Sequence, residues 1–273
     1  MLGKLIKHEF RATAAPMLIL FLGVLVISGL TRLCMLAAEF AEFFAILAGL
    51  SVMLYSLVIW AAYVFIYVLI IRRFYKHIYG AEGYLTLTLP VRRSTLILAK
   101  LIPAMIWQLL GTIVTTSSLL IIASYPEVYA VIGEAFYILL EGVLYLFEFM
   151  NTPGWVMILE LVLFAFISAV GGIMTLYASV SIGQLFKKHR FLGSVLGYFI
   201  IYVVTQIIMS AYVMVMSTVS IFGSWDIYAG RLNGLAAFQI QIMILLYIAI
   251  TALIGLGCWI VTHGVMKKSV NLQ

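Results

Sequence analysis

The stretch Val131–Met150, VIGEAFYILLEGVLYLFEFM, decides how the rest of the chain is laid out. It is apolar enough to pass for a membrane crossing, which needs about 20 apolar residues for a hydrocarbon core about 30 Å thick. It also carries Glu134, Glu141 and Glu148 at seven-residue intervals, so the three carboxylates share one helical stripe, with Tyr137 and Tyr145 beside them. Each carboxylate in a spanning helix costs about 2.5–3.5 kcal/mol on insertion scales. A helix lying at the membrane surface keeps all three in water and still buries its other face. The stretch is therefore read as an interfacial helix, and the crossings elsewhere must agree with that.

The composition excludes a water-soluble protein. Of 273 residues, 65% are hydrophobic and 10% charged, against about 45–50% and about 25% in soluble domains. Ten acids and sixteen bases cannot coat a globule of this size, which rules out a soluble enzyme, a disordered tail and a disulfide-stapled secreted domain. With 131–150 set aside, six apolar runs remain: about 16–36, 43–71, 101–123, 156–183, 193–219 and 237–262. The expected fold is an all-α membrane protein with six transmembrane helices in a single domain, 1–273. The run opening at Pro16 is too long for a signal-peptide core, and Thr31, Arg32 and Leu33 ahead of Cys34 do not make a lipoprotein cleavage site. Cys34 and Cys258 have no CxxC or Cys/His spacing and read as small packing residues.

Charge placement tests the crossing number independently. Lysine and arginine gather in cytoplasmic loops. With six spans and both termini inside, Lys4, Lys7, Arg11, Arg72, Arg73, Lys76, Arg92, Arg93, Lys100, Lys187, Lys188, Arg190, Lys267 and Lys268 all lie on the cytoplasmic side. Only Arg32 and Arg231 lie outside. Of the acids, only Glu9 and Glu82 are inside. A seventh span at 131–150 would carry Lys187, Lys188 and Arg190 to the outer face. The net charge of +6 is thus a topology signal, and nucleic acid is not an expected partner.

Two cytoplasmic segments stand out. In the N-terminal one, Lys4, Lys7, His8 and Arg11 fall on one helical face and Leu2, Leu5 and Ile6 on another. A basic amphipathic helix of this kind lies flat on an anionic leaflet as an elbow ahead of span one. The other is Arg72–Lys100, RRFYKHIYGAEGYLTLTLPVRRSTLILAK, too long for a simple turn. Gly80 and Gly83 bracket Glu82, and the short apolar–polar run Tyr84–Leu89 stops at Pro90. These are the end signals of a short helix that packs on lipid, on its own helices or on a soluble partner.

The stretch YGAEGYLTLTLPV with the basic/serine residues and LILAKL that follow, together with the opening MLGKLIKHEFRAT, resembles small ABC-2-type transporter permeases. The resemblance covers the whole topology. It implies a six-span subunit of a bacterial ATP-driven exporter in the cell membrane, whose second–third loop is a coupling helix docking into a separate ATPase. By position, that role falls on Gly80, Glu82, Gly83, Tyr84, Leu87, Thr88 and Pro90. It further implies two ATPase subunits, a second permease copy or a related permease, and lipid as partners. The short outer connection Ser220–Ala236 departs from relatives that carry paired re-entrant helices there. No GxxxxGK[ST] occurs in the chain, so ATP and Mg would be held by the partner, with no cofactor or metal in this chain. HExxH and GxSxG are absent as well, and no catalytic residue is assigned.

Inside the spans, polar residues recur at helical spacing. Ser168, Gly172, Thr175 and Ser179 form a small stripe suited to close packing. The aromatic-rich stripes of spans two and five, with their polar neighbours, are the candidate substrate path: Trp60, Tyr63, Gln108, Thr112, Tyr202, Thr205 and Gln206. Such residues equally serve as hydrogen-bonding glue between helices. The near absence of mid-span charge argues against a proton- or ion-coupled carrier and for an amphipathic substrate: a peptide, a drug or a lipid-like molecule. Glu160 lies either at headgroup level or one turn deeper, where it needs a base such as Arg32. The alternative function is a non-transporting immunity or sensor subunit that binds a peptide through the glutamate-bearing outer helix.

Overall fold

The computed structural model describes residues 2–38, 40, 42–80, 83, 91–124, 133–144, 153–186, 188–223 and 232–269. Its long helices are α1 (Leu2–Ala37), α2 (Glu42–Ile78), α3 (Arg93–Ile122), α5 (Gly154–Gly183), α6 (Arg190–Gly223) and α7 (Leu232–Ser269), with the shorter α4 at 133–144. No strand occurs among the described residues. The six long helices each contain an apolar segment sufficient to cross a membrane, so the chain is a multi-pass membrane protein. Of the glutamate-bearing stretch, residues 133–144 are described and are helical throughout.

The helices run further than the apolar runs that announced them. α2 continues past Ile71 to Ile78, and α3 begins at Arg93, two turns before Leu101. Hydropathy marks the length of helix that faces lipid, whereas the helix itself continues through the basic residues at the boundary. Arg73 and His77 therefore belong to α2 and Lys100 to α3. The N-terminal basic segment is likewise continuous with the first apolar run, with Pro16 inside a single helix.

Two compact units divide the chain, 1–135 and 136–273. In the first, α1 packs along both α2 and α3. Its buried stripe Met17, Phe21, Val24, Ser28 and Thr31 follows alternating steps of four and three, the period of one helix face. α1 and α3 run parallel: Thr13 meets Trp107, and Arg32 meets the carbonyl of Ser124. α2 runs against both. At Gly111 an added Cβ would lie 2.8 Å from Ile66 Cδ1, so the small residue lets α2 and α3 approach.

In the second unit α5 is the central helix, packed against α6 on one flank and α7 on another. α5 and α7 are parallel, with Phe164 against Tyr247 and Thr175 against Cys258. α6 returns antiparallel after a tight turn, and Gly183 and Gly193 both sit in the crossing. The close glycine approach on the α7 side belongs to Gly171, whose Cα lies 3.4 Å from where a Gly255 Cβ would be; a Cβ on Gly172 would meet open space. Of the expected stripe, Thr175 faces α7 and Ser179 lies beside Gly197 of α6, while Gly172 takes no part and Gly171, four residues before Thr175, makes the close approach instead.

Candidate functional site

Charged side chains converge where α1, α2 and α3 begin or end near the connection 79–92. Glu9 of α1 is the hub. Its Oε1 accepts from Lys100 Nζ at 2.7 Å, its Oε2 accepts from Arg73 Nη2 at 3.1 Å, and His77 Nδ1 lies 4.0 Å from Oε1. The Lys100 side chain is 6% exposed and that of Glu9 16%. A lysine this deeply buried is found almost only with an ionic partner. Glu9 precedes the apolar run that opens at Pro16 and so lies outside the membrane-spanning stretch. Burial pushes its carboxyl up, but the charge and hydrogen bond of Lys100, then Arg73 and His77, outweigh burial and hold it below the ordinary carboxylate value.

One turn further along α1, Thr13 Oγ1 accepts from Trp107 Nε1 at 2.8 Å. Phe10 and Phe21 flank the indole at ring-centroid distances of 5.0 and 6.0 Å. Glu9, Phe10 and Thr13 together bind the third and fourth turns of α1 to α3. The sequence shows Glu9 only as one of two acids on the basic side. Its isolation among Lys4, Lys7, His8 and Arg11 is the signal that it has a partner off its own helix.

Of the residues assigned to coupling, Gly80 and Gly83 are described and Glu82, Tyr84, Leu87, Thr88 and Pro90 lie outside the described residues. Both glycines fold back on the last turn of α2. Gly80 N–H donates to Tyr75 O and Gly83 N–H to Gly80 O. A Cβ on Gly80 would lie 2.6 Å from Lys76 O, and one on Gly83 would lie 2.8 Å from the Ile78 carbonyl carbon. Backbone cannot yield at such distances, so only glycine fits.

The polar stripes of α2 and α3 meet as a ladder. Tyr55 and Ser118 hydroxyls are 2.7 Å apart, Tyr63 and Thr115 hydroxyls 2.9 Å, and Gln108 Nε2 donates to Tyr67 Oη at 3.3 Å. Tyr63 and Gln108 thus lie at the α2–α3 contact. Thr112 bonds back to Gln108 O on an exposed face, and Trp60 is 71% exposed. In the second unit Tyr202 stacks on Tyr198 at 6.5 Å between centroids, Gln206 is exposed, and Thr205 faces a cleft. Glu134 and Glu141 of α4 are exposed, and Glu148 lies outside the described residues.

Glu160 is buried within the protein, and the partner seen for it is an amide and not the base expected of a deep carboxylate. Its Oε1 accepts from Gln241 Nε2 of α7. Arg32 instead donates to Ser124 O at 2.7 Å, closing the far end of the α1–α3 contact. Among the described residues no three His, Cys, Asp or Glu side chains gather as metal ligands. Comparisons with protein-family models, with curated proteins and with solved structures find no match.

Proposed function

We propose that the chain is the membrane-spanning subunit of an ATP-driven exporter of the ABC-2 type, its termini cytoplasmic, with a separate ATPase docking on the connection between α2 and α3. The observation that supports this reading is the Glu9 clamp. The two helices that flank the 79–92 connection are tied through one carboxylate to the root of α1. A force applied to that connection by a closing ATPase reaches three helices at once instead of bending a loop. Rigid-body rocking of a helix group is the ordinary route to alternating access. The sequence resemblance of this connection and of the N-terminal segment to such permeases points the same way, as does the absence of any phosphate-binding motif for ATP in the chain.

In this reading the basic face of Leu2–Arg11, which continues directly into the first span instead of forming a separate flat elbow, meets the anionic inner leaflet, and the substrate is an amphipathic peptide, drug or lipid-like molecule leaving the cytoplasm. Two ATPases and a second permease subunit, identical or related, complete the transporter. The test is affinity purification of the chain from its native membrane. An ATP-binding subunit should co-purify, and Glu82→Arg with Leu87→Asp should release it. Retention of the ATPase by that double variant overturns the coupling role. The exposure of Glu134 and Glu141 favours the second reading, a peptide-binding immunity or sensor subunit. That reading gains if no ATPase co-purifies and a cationic peptide loses binding in Glu134→Gln with Glu141→Gln.

A further inference from the structure

Between α6 and α7, which scarcely touch, the second unit holds a cleft of about 460 Å³ floored by α5. Ala178 and Ile182 of α5, Ile201 and Thr205 of α6, and Ile254 and Cys258 of α7 are among its walls. It is almost wholly apolar. Along α7 it reaches from Ile250 to Val261, about 16 Å of helix, which matches one leaflet of a hydrocarbon core about 30 Å thick.

The two ends of the cleft differ in charge. α5 finishes, α6 begins and α7 finishes at the same end, and there Lys188, Arg190 and Lys267 are exposed. Lys267 follows the last cleft residue of α7 by six positions, about 9 Å of helix. No acidic residue occurs between Leu161 and Trp225 or after Asp226, so α6 and the last turns of α5 and α7 bring no acidic side chain to that end. A leaflet-length apolar slot with a cationic mouth is complementary to one molecule class, a lipid with an acyl chain and an anionic head.

We propose that the cleft is a binding site for an anionic phospholipid, one acyl chain lying between α6 and α7 and the phosphate held by Lys188, Arg190 and Lys267. The site rests on the membrane character of the chain and not on the exporter reading, so either can fail alone.

Native mass spectrometry of the full chain, delipidated in detergent and titrated with dioleoylphosphatidylglycerol or dioleoylphosphatidylcholine, tests it. One phosphatidylglycerol per chain should bind at least tenfold tighter than phosphatidylcholine. Gly257 lines the cleft, and a Cβ there meets nothing within 4 Å, so Gly257→Phe should fill the slot and weaken both lipids tenfold or more. Gly172→Leu, also in open space on the same unit, should change neither. Lys188→Glu with Lys267→Glu, both at exposed positions, should abolish the preference for phosphatidylglycerol and leave phosphatidylcholine unchanged. Equal affinity for the two lipids overturns the proposal, as does unchanged phosphatidylglycerol binding in helical Gly257→Phe. Displacement of phosphatidylglycerol by glycerol 3-phosphate also overturns it, since the chain would then contribute nothing. So does a dimer that Gly257→Phe separates, which would assign the cleft to a second copy.

Discussion

Lys100 Nζ donates to Glu9 Oε1 at 2.7 Å, across ninety-one residues of sequence, with the lysine side chain almost sealed from its surroundings. Such a pair is worth little against an apolar pair of the same shape, yet breaking it by removing one partner costs about 3–5 kcal/mol because the other charge is stranded. Glu9→Gln should therefore lower the unfolding midpoint in detergent far more than Glu9→Gln combined with Lys100→Met. A double-mutant cycle read by thermal unfolding checks this. Additive losses would mean that the two residues act separately.

The same carboxylate gives the clamp a pH dependence whose sign is fixed. Folding depresses the Glu9 carboxyl, because Lys100, Arg73 and His77 outweigh burial. A depressed carboxylate contributes stability that is fully present above its unfolded pKa, about 4.3, and is lost as pH falls through the lower folded value. The difference in unfolding midpoint between the native chain and Glu9→Gln should shrink steadily as pH falls below about 4. A difference that grows over that acid range would contradict the ion-pair account.

Much of this architecture was legible in the residues, and what was not has a physical reason. The six long apolar helices follow from apolar length, a one-dimensional property of a chain in a bilayer. The tyrosine stripe of span two and the polar stripe of span three were visible too. That Tyr55 meets Ser118 while Tyr63 meets Thr115 depends on how two helices cross, which no spacing within one helix records. Glu9 was hidden for the same reason, since Arg73, His77 and Lys100 reach it only because α2 and α3 extend beyond their apolar runs. Gln241 as the partner of Glu160 was hidden by chemistry: a search for a base overlooks an amide, which satisfies one carboxylate oxygen as a neutral donor.

Thr13 provides a test of the α1–α3 contact that does not involve charge. Its hydroxyl is the acceptor for the Trp107 indole N–H, and Trp107 is buried. Thr13→Val preserves shape and removes the acceptor, leaving a buried donor without its bond, which costs about 1–3 kcal/mol. Thr13→Ser keeps the acceptor and should cost much less. Thermal unfolding of the two variants separates them, and equal losses would show that the methyl group, not the hydroxyl, matters.

Gly183 sets the approach of α5 and α6. A Cβ there would fall 2.7 Å from Arg190 O and from Ser194 N, both backbone atoms that cannot rotate away. Gly183 is the last residue of α5, and Gly183→Ala should force that end away from the start of α6 and destabilise the chain, although alanine at a helix-interior position normally gains about 1 kcal/mol over glycine. Gly172→Ala, facing open space, should show that gain. Comparing the two unfolding midpoints is the check, and a stabilised Gly183→Ala would mean that the helices do not cross at this residue.

The glutamate-bearing stretch provides the decisive topology test. Glu134 and Glu141 are exposed on α4, and a chain with six crossings keeps both termini on one side and residue 141 on the other. Seven crossings would instead separate the termini. In a variant with Cys34 and Cys258 replaced by serine, a single cysteine at position 141 and another at position 4 should label from opposite faces of sealed vesicles. Position 267, near the end of α7, should label from the same face as position 4. Labelling of 4 and 267 from opposite faces would restore 131–150 as a crossing. It would also reverse every basic loop after it, and the docking side proposed for the ATPase would then no longer collect the bases of Lys188 and Arg190.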